Sequence, residues 1–520
     1  MIALALALLP ATGYQLPADT TPRLVVVLSV DQFRGDYLDK YGPQLSGGLA
    51  RLAREGAVFT NAHQDHAMTS TAAGHASVTT GRYPYSTGIV RNNAGTNDPS
   101  HPLVGASGSG SSPRRLRGTT VFDWMKARWP SARALGAGGD DRNVIPLVGR
   151  EREQVYWSVS GQFVTSTYYR DSLPGWVHRF NREAWPIVSS TAHVWNLAMP
   201  EAAYPEPDSV PWENRGADFT FPHRGASAGD TLRAARWFRY TPWGDSLTLA
   251  FVLRGTAELG LGRGEAPDLI AIGLATADDI GHAYGPESRE LRDYYVRLDR
   301  WLDTFLDSLQ RLSGGPLIVV LTADHGVTPF PEGAWARGDS AWHVRLDTTL
   351  NRWQTELQEH LGEGRYILWA SSGMIAVDRQ RLERAGARPD TVIARIAADL
   401  ARLPGVARVQ TRADLARRAD TTSDAVTRRW RRTVEPGSPA EIFVTLRPGS
   451  AFTNPLGSAQ HGQNSDLDAH VTLVLWGHGV RPGRYDRKAA VVDIAPTLAR
   501  ILGLRPAERV DGRVLTEAIQ

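Results

Sequence analysis

Four apolar runs punctuate the chain: LVVVLSV (24–30), DLIAIGLA (268–275), PLIVVLTA (316–323) and HVTLVLWG (470–477). They are rich in aliphatic and β-branched residues and lack the alternation of a half-exposed strand. Each therefore predicts a strand buried on both faces, as in a parallel sheet. Between the second and third runs, Leu298, Leu302, Phe305 and Leu309 recur at helical spacing and predict a helix from about Glu287 to Leu312. Strand, helix and strand in that order imply a right-handed crossover, hence an α/β fold with a largely parallel sheet. Ligands bind such sheets beyond the carboxyl ends of the strands. Asp31, Asp278, Asp324 and His325 all fall at or just past such ends.

Two long stretches break this rhythm. Residues 146–245 are rich in Trp, Tyr and Pro, and residues 331–440 are Arg-rich with a helical pattern. Both read as insertions over one end of the sheet. The catalytic core is then expected in three parts, 21–145, 246–330 and 441–520. GASGSGSSPRR (105–115) reads as a flexible loop.

Composition narrows the class. The chain has 520 residues, 42% hydrophobic and 22% charged, the make-up of an ordinary globular protein. Its net charge of +3 comes almost wholly from Arg, with Lys only at positions 40, 126 and 488. The chain lacks the dense basic block of a dedicated nucleic-acid binder. The basic piece ARRADTTSDAVTRRWRRTV (416–434) reads as a solvated helix face. Cys is absent, so any metal must be held by His and carboxylate. The apolar run Ile2–Leu9 is too short to span a bilayer, which takes ~20 residues. It lacks the preceding Lys/Arg of a secretory leader, so residues 1–20 read as an imperfect signal peptide, with a cytoplasmic frayed terminus as the alternative. The expected location is the periplasm or the medium.

Candidate chemistry concentrates in a few segments. In TADDIGHAYGP (276–286), Asp278 and His282 stand one helical turn apart, a spacing that suits Zn²⁺ and also a surface ion pair. LTADHG (321–326) puts Asp324 and His325 directly after a strand, although taken alone it also reads as a capped turn. Three strand-end carboxylates are too many to gather without cations. GSAQHGQNSDLDAH (457–470) offers His461 on a polar loop and His470 at a strand start; His461 is the preferred ligand. In HAMTSTAAGHAS (66–77), Thr71 opens a run of small, helix-compatible residues. A hydroxyl there can cap the helix or, beside a metal, serve as a nucleophile.

Taken together, Asp31 after its strand, Thr71 four residues before His75, TADDIGH, TADHG and QHGQNSDLDAH resemble the alkaline phosphatase superfamily. Within it the chain is most similar to the PafA-type alkaline phosphatases and the nucleotide pyrophosphatase/phosphodiesterases, over about Leu24 to Leu504. The resemblance implies a three-layer α/β/α sandwich with cap insertions and two zinc ions. Asp278, His282 and His461 would hold one, and Asp31, Asp324, His325 and Thr71 the other. It further implies Thr71 as a nucleophile forming a phosphothreonine, with Asn92 and Arg142 binding phosphate oxygens. The expected partner is a small-molecule phosphate ester, and the chain is expected to work as a monomer.

One position departs from the pattern. The PafA-type Lys-x-Arg pair is here Asp140-Asp141-Arg142. A carboxylate beside a dianionic monoester repels it more than it repels a diester. Asp140 could also pair with Arg142 or turn away. The first expectation is thus a phosphomonoesterase, with a phosphodiesterase on the same metal core as the alternative. A non-catalytic phosphate-binding protein and a phosphoglycerate-mutase-like transferase complete the set.

Overall fold

The computed structural model describes residues 21–92, 95–225, 229–417, 423–452 and 459–520; the apolar run Ile2–Leu9 and the proposed leader lie outside them. The strand Leu24–Val30, buried at every position, lies inside a ten-stranded sheet. Leu317–Thr322 flanks it on one side and Asp268–Leu274 on the other, both parallel to it. Ala134–Gly138 and Gln154–Val159 extend this parallel set to five strands. The fourth apolar run differs from the other three: its strand, Leu473–Gly477, pairs antiparallel with Leu317–Thr322. An antiparallel strand toward the margin of an otherwise parallel sheet is a common arrangement.

Helices cover both faces. Gly136 points at Val144 and Val148 of the helix Asp141–Val148, whereas its neighbour Leu135 reaches Gly255 of the helix Trp243–Leu259. Successive strand residues point to opposite faces, so these helices form opposite layers. The helix Arg289–Ser313 packs beside Trp243–Leu259 and buries Leu298, Leu302, Phe305 and Leu309, as their spacing predicts. This is the α/β architecture expected, with a mostly parallel central sheet.

Three local expectations are corrected. The segment 331–440 is not simply helical: Ile367–Ser371, Met374–Val377 and Val406–Thr411 join Ala440–Leu446 in a four-stranded antiparallel sheet with its own apolar core. Helical periodicity in the intervening stretches masked these short strands. The loop at 105–115 is anchored rather than free, because Ser111 donates to Asp141 and Ser112 to Asp98, both serines being buried. The basic piece at 416–434 forms the helix Ala425–Thr433, whose Trp430 is fully buried. Arg428 and Arg429 lie 3.1 and 3.4 Å from the buried Asp65, Arg432 also pairs with it, and Lys488 approaches to 3.2 Å. Its arginines fasten the cap to the core instead of facing solvent.

Candidate active site

The site forms where strand ends meet a buried helix. The helix Thr71–Thr80 is buried at all ten residues, which its run of Ala, Gly, Ser and Thr permits. A Cβ on Gly74 would lie 2.1 Å from the Asp324 carbonyl oxygen, so only glycine lets the helix approach the strand end this closely. Ser70, not Thr71, occupies the N-cap position, and its side chain makes no cap bond. Thr71 is the first helical residue, and its Oγ1 lies 3.4 Å from His325 Nε2. Asn92 accepts a hydrogen bond from Ala72 N at 2.9 Å, which ties it to the same helix end.

Asp31, Asp324 and His325 lie together, His325 Nε2 being 3.3 Å from Asp31 Oδ1 and 3.2 Å from Asp324 Oδ2. Asp278 and His282 lie on the helix Thr276–Tyr284, 3.3 Å apart, and His461 Nε2 is 3.6 Å from Asp278 Oδ1. That helix has no side-chain cap of its own. Asp245, from another helix, accepts from Ala275 N and Thr276 N and so fixes the start. The His461 loop is held by Asp468, which accepts from Gln463 N at 3.0 Å and Thr328 Oγ1 at 2.6 Å. His470 lies elsewhere, stacked on His63 and bonded to Thr60 O.

The donor set fits metal ions. Asp31, Asp324 and His325 offer ligand atoms that all lie within 4.8 Å of one another, as do Asp278, His325 and His461. In each imidazole Nδ1 meets a backbone carbonyl: Ala459 for His282, Gly326 for His325 and Thr69 for His461. A carbonyl on Nδ1 fixes the tautomer and leaves Nε2 free to bind a metal. Asp31 Oδ1 and Asp324 Oδ2 are buried without hydrogen-bond partners, as carboxylates awaiting a cation would be.

The electrostatics agree. Burial and the neighbouring Asp324 and Asp278 carboxylates push Asp31 well above the usual range, and burial also raises Asp324. Burial opposes the Asp278 charge, but His282, His461 and His325 outweigh it and hold this carboxyl below the usual range. The same pairing raises His282 to about 9 against its own burial. Burial dominates at His461, which falls to about 4.

Several partners escaped the reading of the sequence. Gln32 donates to Asp278 at 2.6 Å through its side chain and to Asp324 at 3.2 Å through its backbone, from a left-handed conformation at φ 66°. Asn143 donates to Asp31 at 2.8 Å. Thr69 holds His461 in place through its carbonyl. Asp140 Oδ2 accepts from Arg239 at 2.8 Å and forms an ion pair with Arg142 at 2.9 Å, so one carboxylate bridges two guanidiniums. Arg239 comes from the aromatic-rich stretch, and nothing local in the sequence links it to Asp140.

A family model for type I phosphodiesterase / nucleotide pyrophosphatase matches residues 25–468. The chain belongs to this family. It is 30% identical to alkaline phosphatase PhoK of a Sphingomonas species, over 96% of this chain and 91% of that protein. It is 29% identical to alkaline phosphatase PafA of Elizabethkingia meningoseptica, over 96% of this chain and 94% of that protein. A crystal structure of PafA superposes with a TM-score of 0.88 at 28% identity, covering 97% of this chain and 100% of that one. The likeness thus runs over nearly the whole chain.

Proposed function

We propose that the chain is an alkaline phosphatase that hydrolyses phosphate monoesters through a phosphothreonine on Thr71. As a member of its family it is a phosphoric ester hydrolase. The observation that carries the finer reading is Thr71 Oγ1 at the start of a buried helix, 3.4 Å from His325 Nε2, beside two buried carboxylate oxygens without partners. Asp278, His282 and His461 would hold one zinc ion and Asp31, Asp324, His325 and Thr71 the other. When bound, the two ions supply Lewis-acid polarisation of the phosphoryl group and lower the pKa of a ligating hydroxyl.

The chain's own groups do the rest. The helix start favours an anion in front of Thr71. Asn92 and Arg142 are the side chains that would receive the non-bridging oxygens, Arg142 as a fork-shaped donor. Thr71 Oγ1 attacks phosphorus in line, the ester P–O bond breaks and the alcohol departs. Water then cleaves the phosphothreonine, releasing phosphate and restoring the hydroxyl. We take the protein to act as a monomer outside the cytoplasm, which the apolar run Ile2–Leu9 supports; no helix among the described residues is long and apolar enough to cross a membrane.

Asp140 favours a second reading, a phosphodiesterase, because a carboxylate stands where PafA-type enzymes carry a cation. Its pairing with two guanidiniums weakens that objection, since they offset its negative charge. The deciding experiment compares an aryl monoester with the matching diester at one pH, using wild type and Thr71→Ala. We expect the monoester to be preferred and its turnover to fall at least roughly 10³-fold in the variant. A diester preference abolished by Thr71→Ala would make the second reading correct, and undiminished turnover in the variant would remove Thr71 from the mechanism.

A further inference from the structure

The candidate site opens into a cavity of about 890 Å³, which reaches Ser70, Asn92, His282 and His461 at its floor. Its outer wall is built by the aromatic-rich stretch. The helix Thr231–Arg239 buries Ala234, Ala235 and Phe238 and turns Arg233 and Arg236, at i and i+3, toward the cavity, with Tyr240 continuing the same stripe. Asp230 caps this helix by accepting from Arg233 N at 3.0 Å. Gly225 lies flat on the Trp237 ring, where a Cβ would come within 2.3 Å of ring carbon, so the segment carrying Arg224 is pinned to the helix. Arg224 is held further by the pairing of His223–Arg224 with Val194–Trp195. Arg215 completes the rim.

None of Arg215, Arg224, Arg233 and Arg236 has a salt-bridge partner within 4 Å among the described residues, whereas Arg91, which also lines the cavity, stacks on Trp369. The two carboxylates of the cavity are engaged elsewhere: Asp218 lies 3.4 Å from His223, and Asp279 lies 3.6 Å from Arg239. Like charges around one opening give it a positive potential that favours an anion entering it.

Resting on the monoesterase reading above, we infer that this cavity binds a second anionic group on the substrate. The favoured substrate is a phosphate ester whose leaving group itself carries a phosphate. With one phosphoryl group at Thr71, the distal phosphate lies among guanidiniums that match it in charge and fork geometry. Trp237, Tyr240 and Tyr284 would pack against the linking carbon skeleton.

The test compares propyl phosphate with propane-1,3-diyl bisphosphate, two esters that differ only in the distal phosphate. We expect kcat/KM to favour the bisphosphate by about tenfold at low ionic strength, the scale of two exposed guanidinium contacts, and the preference to shrink in salt. In the Arg233→Gln, Arg236→Gln double variant the ratio of the two kcat/KM values should fall to near one. Equal turnover of both esters by wild type, or a preference that survives in the double variant, would overturn the inference. If wild type hydrolyses neither ester, the monoesterase reading fails instead. Tryptophan fluorescence quenching by propane-1,3-bisphosphonate then decides the inference alone: tighter binding to wild type than to the double variant supports it, and equal binding overturns it.

Discussion

Asp140 is the residue on which substrate charge turns. Its Oδ2 lies 2.9 Å from Arg142 and 2.8 Å from Arg239, so its negative charge stands between the two guanidiniums. Asparagine preserves the shape and removes the charge, leaving two cations to repel. Asp140→Asn should therefore lower kcat/KM for an aryl monoester by about tenfold, the effect of losing roughly 1.4 kcal/mol of positioning. A rise would mean that the carboxylate acts on the substrate by repulsion. At the opposite side of the site, Thr69 fixes the His461 ring by its carbonyl and meets Gly462 N with its hydroxyl at 3.2 Å. Of the three hydroxyls at 69–71, one holds the His461 loop, one occupies an uncapped helix start and one faces His325.

Among the elements, the helix Ala425–Thr433 shows how the cap is joined to the core. Burial opposes the Asp65 charge, but Arg428, Arg432 and Lys488 outweigh it and hold the carboxyl well below its usual range. A group whose folded pKa is depressed contributes its full stability above the unfolded carboxylate value of about 3.9, and loses it as pH falls through the folded value. Asp65→Asn should cost about 3 kcal/mol in a neutral urea melt, at the low end for a buried cluster because Arg432 and Lys488 keep contact with water. The difference between wild type and variant should stay constant from about pH 5 to 8 and narrow below about pH 4. A variant as stable as wild type at neutral pH would show that apolar packing around Trp430 holds the cap by itself.

For the molecule as a whole, the gathering of Asp31, Asp278 and Asp324 in one buried place leads us to expect that stability depends on cations. Chelation should abolish activity and lower Tm by a few degrees, since a ligand at a hundred times its Kd adds about 2.7 kcal/mol per site. Zinc should restore both, as calorimetry and an activity assay would register. An unchanged Tm after the metal is removed would argue against these residues as its ligands.

How much of this was legible in the sequence follows from the range of each interaction. Strands buried on both faces announce themselves by continuous apolar runs, and Leu24–Val30, Asp268–Leu274 and Leu317–Thr322 lie where those runs predict. The meeting of acids and imidazoles at strand ends is legible for the same reason, because the topology of a parallel sheet gathers such ends. The short strands within 331–440 were hidden because helical segments surround them and because Met374–Val377 and Val406–Thr411 pair with Ala440–Leu446, remote in sequence. Gln32, Asn143 and Arg239 were missed because their contacts span 246, 112 and 99 residues and no local pattern encodes them.

By itself, then, the sequence determined the layered α/β class, the absence of thiolate chemistry and the set of acids, imidazoles and threonine available at the strand ends, all properties of composition and short-range periodicity. Only the tertiary structure decided that Thr71 faces His325 while Ser70 holds the helix start, that Asp140 is spent between two arginines, and that a basic helix is an anchor while four other arginines are left facing a cavity. A side chain's charge is fixed by its identity, but what that charge meets is fixed by packing between segments far apart in the chain.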